Sequence, residues 1–258
     1  MELFIRKGIF MFAIETKGLT KEYKDILAVD QLNLTVNQGE LFALLGVNGA
    51  GKTTTIKMLT GLTVPTGGDG LLLGHSILKD SQGVKEVIGV SPQETAVAPG
   101  LTVRENLELM CGVHGLVKSE AEVRIQKLGR LLGLEEVSGK RAEKLSGGWQ
   151  RRLSIAMVLI SEPKILFLDE PTLGLDVIAR SELWDLIRSL KGATTIVLTT
   201  HYMEEAEALA DRIGIMGNGR LLTVGTAEEL KKLAGVDRFE DAFIQIVKES
   251  GQKGGRKR

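Results

Sequence analysis

The segment best equipped for chemistry is a glycine-rich run that ends in lysine and threonine, Gly46-Val-Asn-Gly-Ala-Gly-Lys-Thr53. Glycines at these intervals let the backbone turn around an anion, so that amide groups and the positive end of the following helix face phosphate oxygens. In this pattern Lys52 would reach the β- and γ-phosphates, Thr53 would ligate Mg²⁺ and Thr54 would add a phosphate contact. The run follows a predicted buried strand and opens a helical pattern, the context that the motif requires. It therefore predicts a P-loop, with phosphate-binding residues Gly46, Asn48, Gly49, Ala50, Gly51, Lys52, Thr53 and Thr54.

Two adjacent acids form the second candidate group. The apolar run Ile165-Leu-Phe-Leu168 brings Asp169 and Glu170 to the end of a predicted strand, where open α/β sheets receive ligands. Asp169 would hold Mg²⁺, usually through water, and Glu170 would polarise the attacking water, a general-base role worth about 10²–10⁴ in rate. An Asp-Glu pair alone is more typical of a strand-end turn, so the assignment depends on the P-loop in the same chain.

A third motif, Leu145-Ser-Gly-Gly148, lies shortly before that strand. Ser146, Gly147 and Gly148 precede a helical pattern that starts near Trp149. A helix N-terminus carries free amide groups and a partial positive charge, so this segment is a second place suited to phosphate.

The elements that must position these motifs can be predicted from the apolar pattern. Nearly continuous apolar runs over 41–45, 165–168 and 195–199 are typical of strands buried on both faces of a parallel sheet. Helical patterns follow each run, which predicts a three-layer α/β core with a mostly parallel sheet.

Between about Pro99 and Ser161 no buried-strand run occurs, and the segment is predicted to be helical. Ser119-Glu-Ala-Glu122 fits a capping box ahead of a periodic segment that runs to Leu132. A further helix over 149–160 has one apolar face, with Arg151 and Arg152 off it, and Pro163 blocks its continuation.

Composition limits the possible classes of function. The 258 residues contain 33 Lys plus Arg and 33 Asp plus Glu, so no global field favours nucleic acid or an acidic substrate. Cys111 is the single cysteine, which excludes an internal disulfide. No apolar stretch approaches the roughly 20 residues that a membrane helix needs, so we expect the chain not to cross a membrane by itself. Residues 1–10 are interpreted as an N-terminal extension, and 241–258 as a basic C-terminal tail.

The ordered set of motifs resembles the ATPase subunits of ATP-binding cassette (ABC) transporters, from about Phe12 to Leu230. In the family's order the chain contains Tyr23, the P-loop, Gln93, Leu145-Ser-Gly-Gly148, Asp169-Glu170, Leu175-Asp176 and His201. The resemblance implies a P-loop NTPase (RecA-like) core, an N-terminal antiparallel β-subdomain and an inserted α-helical subdomain. It places the ATPase domain at 11–240, with the core at 11–92 and 162–235 and the helical insertion at 93–161.

The resemblance also implies roles for individual residues. Tyr23 would stack on adenine, and Gln93 would contact Mg²⁺ or water at the junction of core and helical insertion. His201 would bind the γ-phosphate and orient the attack. Residues Ser146, Gly147 and Gly148, with Asp176, would act across a dimer, so that two copies clamp each ATP.

Two positions depart from the family's usual pattern. Trp149 follows Leu-Ser-Gly-Gly where Gln is frequent, and Leu173 follows Pro171-Thr172 where Ser is frequent. Neither change removes a backbone phosphate donor or a carboxylate. They affect details of the cross-dimer contact rather than ATP binding.

The leading hypothesis is therefore an ATPase that uses ATP and Mg²⁺ to power a separate transmembrane permease, most like the ABC-2 type exporters of drugs, antibiotics or ions. Its partners would be that permease and a second copy or a homologous ATPase subunit, with no nucleic acid, at the cytoplasmic face of the cell membrane. One alternative is a soluble non-transport ABC ATPase that acts in the assembly of another complex. Another is a P-loop GTPase or kinase, against which the Leu-Ser-Gly-Gly motif and the absence of an Asn-Lys-x-Asp sequence count.

Overall fold

The computed structural model describes residues 12–254, so residues 1–11 and 255–258, with the extension predicted at 1–10, lie outside the described part of the chain. Its strands are β1 (Phe12–Tyr23), β2 (Ile26–Leu32), β3 (Thr35–Asn37), β4 (Leu41–Gly46), β5 (Gly67–Leu72), β6 (His75–Ser76), β7 (Ile88–Ser91), β8 (Ile165–Asp169), β9 (Thr195–Thr200), β10 (Arg212–Gly217) and β11 (Arg220–Gly225). Its α-helices are α1 (Lys52–Leu59), α2 (Ser81–Val87), α3 (Val103–Val113), α4 (Lys118–Leu131), α5 (Gly147–Leu159), α6 (Val177–Leu190), α7 (Met203–Leu209), α8 (Ala227–Ala234) and α9 (Phe239–Gly254).

The larger sheet carries the predicted motifs. Its order is β11-β10-β4-β9-β8-β7, and every pairing from β10 to β7 is parallel, while β11 pairs antiparallel with β10. Every residue of β4, β8 and β9 is buried, as their continuous apolar runs predict. The mostly parallel α/β core is confirmed.

The smaller sheet is antiparallel, with the order β2-β1-β5-β6, and β3 pairs with the first residues of β1. It covers one face of the larger sheet. The side chains of β4 show this, because successive side chains of a strand point to opposite faces. Phe42 and Leu44 join the apolar cluster of the smaller sheet, whereas Leu41, Ala43 and Leu45 join the cluster formed with the helices. This arrangement confirms the antiparallel β unit that the family resemblance implies.

The helices α3, α4 and α5 occupy the segment between β7 and β8. Their buried side chains, among them Leu107, Leu128 and Leu153, extend the core cluster on the helical side of the larger sheet. The position fits the helical insertion predicted at 93–161, and the boundaries of that division remain an interpretation.

The predicted capping box at Ser119 is wrong. Helix α4 begins at Lys118 after Val117, with no side-chain cap, so Ser119 already has a helical backbone and cannot act as the N-cap. A capping box is formed instead at α3, where the Thr102 hydroxyl accepts from the Glu105 amide at 3.2 Å and the Glu105 carboxylate accepts from the Thr102 amide at 2.7 Å.

Residues predicted to start a C-terminal tail at 241 belong to α9 as far as Gly254. Ala242 and Phe243 are buried, and Phe239 and Phe243 join the main apolar cluster. Apolar side chains at helical spacing therefore pack the first half of this segment against the core. Over residues 12–254, every helix is too short or too polar to span a bilayer.

Thr102 and Ser119 give a test of this assignment, because only Thr102 caps a helix. Thr102→Ala should lower the free energy of unfolding by about 1 kcal/mol, because it removes the hydroxyl that caps α3. Ser119→Ala, in the next helix, should leave stability unchanged or slightly higher, because alanine is the better helix former. Urea titration of both variants measures the difference, and equal losses would contradict the cap assignment.

Candidate functional site

A cavity of about 800 Å³ opens at the carboxyl edge of the larger sheet. The predicted residues that line it are Tyr23, Asn48, Gly49, Ala50, Gly51, Lys52, Thr53, Thr54, Gln93, Glu170 and His201. These side chains converge because β4, β7, β8 and β9 are parallel, so their carboxyl ends meet at one edge.

The glycine loop between β4 and α1 requires glycine for two physical reasons. Gly51 has φ of 102°, in the left-handed region, and a Cβ there would lie 2.5 Å from the Ala28 carbonyl oxygen. A Cβ on Gly46 would lie 2.7 Å from the Met216 carbonyl oxygen. Both ends of the loop therefore fit tightly, Gly51 against β2 and Gly46 against β10.

Lys52 lies in the first turn of α1 with only 4% of its surface exposed. Its ammonium group donates to the carbonyl oxygens of Gly46 at 2.8 Å and Val47 at 3.2 Å, and lies 3.6 Å from Glu170 Oε1. Burial lowers the pKa of Lys52, and the neighbouring Glu170 carboxylate opposes that shift. Lys52 is thus a desolvated cation at the base of the cavity.

Glu170 joins β8 to the cavity through an unusual backbone conformation. Its φ of 46° is left-handed, which is uncommon for a residue with a side chain. The Glu170 amide donates to the Thr199 carbonyl and hydroxyl oxygens, both at 3.1 Å, and these bonds hold the conformation. Its Oε2 lies 3.1 Å from His201 Nδ1, so the carboxylate is between Lys52 and His201.

Asp169 ends β8 one residue earlier. Its Oδ1 accepts hydrogen bonds from the hydroxyls of Thr53, at 3.2 Å, and Thr199. Over residues 12–254 there is no cluster of three His, Cys, Asp or Glu side chains suited to a metal. Mg²⁺ at phosphates needs only one or two protein oxygens, and the Thr53 and Asp169 oxygens fit that requirement.

Six predicted residues do not line the cavity. Gly46 and Asp169 contact the lining residues Lys52 and Thr53, and the other four are Ser146, Gly147, Gly148 and Asp176. Ser146 and Gly147 are exposed, and Gly148 follows them at the N-terminus of α5. Asp176 is the N-cap of α6, where Oδ1 accepts from the amides of Ile178 and Ala179 at 2.9 Å each. Within one copy of the chain these residues are therefore outside the cavity.

Several lining residues were not predicted. Ile26, Leu27 and Ala28 of β2 contribute one wall, beside Asn218 and Gly219 in the turn between β10 and β11. Both turn residues have positive φ, 49° and 77°, as a two-residue hairpin turn requires. The Asn-Gly pair was a sequence signal for this hairpin, whereas its contact with β2 depends on tertiary structure.

Arg151 is buried, although the apolar pattern of its helix places it off the core face. Only 4% of its surface is exposed, and one guanidinium nitrogen donates to the Pro92 carbonyl at 2.6 Å. The other donates to the carbonyl of Gln93. A hydrophobicity pattern does not reveal this position, because the burial depends on backbone acceptors in another segment.

Glu205 in α7 is also fully buried. It accepts a hydrogen bond from Trp184 Nε1 at 3.1 Å, which joins α7 to α6. Burial raises the pKa of Glu205, and the hydroxyls of Thr200 and Thr172 oppose that shift.

The two departures from the family pattern have defined surroundings. The Arg152 guanidinium lies 4.9 Å from the centre of the Trp149 ring and forms an ion pair of 2.6 Å with Glu182 in α6. Leu173 lines the cavity at its rim. The Arg152 guanidinium therefore connects the Trp149 ring with α6.

Comparison with known sequences gives a consistent result. The sequence profile described as ABC transporter matches residues 29–173. The chain is 42% identical over 243 residues to the daunorubicin resistance ATP-binding protein DrrA3 of Streptomyces coeruleorubidus, which covers 94% of this chain and 76% of the relative. It is 40% identical over 240 residues to the probable multidrug ABC transporter ATP-binding protein YbhF of Escherichia coli (strain K12), with 91% of this chain covered but only 41% of that relative.

Solved structures agree. The structure of an ATP-binding subunit of an ABC transporter matches with a TM-score of 0.80 at 29% identity, over 91% of this chain and 99% of that chain. The cbiO1 structure from Clostridium perfringens, part of the ABC transporter complex cbiONQ, also matches with a TM-score of 0.80 at 28% identity. The match covers 86% of this chain and 92% of that chain.

The cavity predicts how Lys52 contributes to nucleotide binding. Lys52→Ala should weaken ATP binding about ten- to hundredfold, since hydrogen bonds to a charged group contribute about 1.5–3 kcal/mol. Lys57→Ala, on the exposed side of the same helix, should bind as the unaltered protein does. Titration with a fluorescent ATP analogue measures both, and equal affinities would contradict the site.

Proposed function

The chain belongs to the ABC transporter family, and on that basis we propose that it binds and hydrolyses ATP to power a separate transmembrane permease. The observation that carries this proposal is the convergence of Lys52, Glu170, His201 and Gln93 on one cavity beside the P-loop. This arrangement combines phosphate binding with a carboxylate suited to activate water.

The proposed reaction is attack of water on the γ-phosphate. Lys52 and the loop amides would bind the phosphates, and Tyr23, 42% exposed at the cavity wall, would stack on adenine. Glu170 would accept a proton from the attacking water, with His201 beside it orienting the γ-phosphate. Thr53, Asp169 and Gln93 would hold Mg²⁺, which would supply positive charge at the phosphates.

The protein would act as a dimer. In one copy the N-terminus of α5 at Ser146, Gly147 and Gly148 is exposed and outside the cavity, although it suits phosphate binding. A second copy, or a homologous ATPase subunit, would bring that N-terminus and Asp176 to the ATP held by the first. ATP would then be bound at the interface, and hydrolysis would require association.

The transport partner is inferred from the relatives. DrrA3 is named for daunorubicin resistance and YbhF for multidrug transport, which favours an exporter over an ATPase that assembles another complex. The chain would bind its permease at the cytoplasmic face of the membrane. Copurification with a multi-span membrane protein tests this part of the proposal, and isolation without such a partner would support the assembly alternative.

Glu170→Gln tests the assigned base. It should keep ATP affinity within about twofold, abolish measurable hydrolysis and accumulate an ATP-bound dimer, because the amide cannot accept the proton from water. Phosphate release measures hydrolysis, and light scattering measures the ATP-bound dimer. Glu120→Gln, a change to an exposed acid of α4, is the control and should behave normally. Undiminished hydrolysis by Glu170→Gln would refute the role of Glu170.

Ser146→Arg tests the composite site. The larger side chain would occupy the N-terminus of α5 that faces the partner's ATP, so turnover and ATP-dependent association should both be lost. ATP binding by the single chain should persist, because Ser146 does not line its cavity. Calorimetric titration and sedimentation measure binding and association, and a fully active variant would contradict the dimeric arrangement.

A further inference from the structure

Arg151 connects two parts of the proposed site. It lies in α5 three residues after Gly148, about one helical turn from the exposed N-terminus of that helix. Its two guanidinium bonds go to the carbonyl groups of Pro92 and Gln93, directly after the end of β7. Gln93 lines the cavity, and its backbone carbonyl is held by the helix whose N-cap is Ser146.

Arg151 is a buried cation, and its charge needs these hydrogen bonds. Over residues 12–254 it forms no ion pair within 4.0 Å. Burial lowers the pKa of Arg151. The charges of Asp169 and Glu205 oppose that shift, although neither carboxylate forms an ion pair with Arg151. A buried cation is costly unless its hydrogen bonds are made, so the guanidinium depends on the carbonyl groups of Pro92 and Gln93.

A second contact joins the same two segments. The hydroxyl oxygens of Ser91, at the end of β7, and Ser154, in α5, lie 3.3 Å apart, and both residues are buried. Ser154 and Arg151 are three residues apart and share one face of α5. The helix is therefore attached to the end of β7 at two successive points, and only the Arg151 bonds reach Gln93.

We propose that Arg151 is a positioning residue, which fixes Gln93 in the cavity and links it to the end of α5 that meets the partner's ATP. This inference rests on the proposed ATPase function. If α5 moves when its N-terminus meets the partner's nucleotide, the Arg151 guanidinium would move with it and displace the Gln93 backbone. Each copy would thereby sense the ATP of its partner at its own Gln93.

A double-mutant cycle in the full chain tests the link. Arg151→Met removes the donors at similar length, and should lower kcat about ten- to hundredfold while ATP affinity stays within about twofold. Gln93→Ala should have a similar effect, and the double variant should be no slower than the slower single variant. Arg151→Lys, with a charge but no planar fork, should be intermediate.

Arg124→Met is a matched control. Arg124 in α4 also donates from its guanidinium to a backbone carbonyl, that of Ile160 at the opposite end of α5. Its loss should leave kcat unchanged. A spin label on Glu94→Cys, in a Cys111→Ser background, gives a readout without nucleotide, and its mobility should rise with Arg151→Met but not with Arg124→Met.

The outcomes separate this inference from the proposed function. Normal kcat in Arg151→Met, or losses that multiply in the double variant, would overturn the role of Arg151 while leaving the ATPase intact. Unchanged label mobility would also overturn it. If Arg151→Met unfolds, the Arg151→Lys and Gln93→Ala cycle replaces it under the same criteria. An unaltered chain that fails to hydrolyse ATP would instead refute the proposed function.

Discussion

The structure depends on the parallel alignment of four neighbouring strands, β4, β9, β8 and β7. Their carboxyl ends meet at one edge, so segments distant in sequence deliver Gly46, His201, Asp169 and Gln93 to one place. Burial on both faces fixes the register, because a slip by one residue would exchange the side chains that face the two apolar clusters. The precision of the cavity therefore derives from apolar contacts that touch no ligand.

The charged groups in this site remain buried because their partners are part of the fold. Lys52 has two loop carbonyls and a carboxylate, and Glu170 has Lys52 and His201. Thr199 holds the Glu170 amide and also donates to Asp169, so one hydroxyl group fixes two consecutive acids. The left-handed backbone conformation of Glu170 is held by its hydrogen bonds to Thr199 in the neighbouring strand β9.

Local patterns were sufficient to predict three buried strands, β4, β8 and β9, with the glycine loop after β4 and the two acids at the end of β8. Arg151 and Thr199 were not identified, because their roles depend on acceptors brought near only by the fold. The cap at Ser119 failed for a different reason: Thr102 and Ser119 both fit the capping pattern, and backbone conformation decides between them. The helical start of the predicted tail was missed because the basic residues at its end obscured the apolar spacing of α9.

The hydrogen bonds of Lys52 have a consequence for how the cavity empties. An isolated ammonium group would retain a departing phosphate strongly, because release would leave a bare cation in a poorly hydrated place. In this fold the Gly46 and Val47 carbonyls and the Glu170 carboxylate already surround the group. They satisfy the ammonium group without an anion, so Lys52 can remain buried and charged when the cavity is empty.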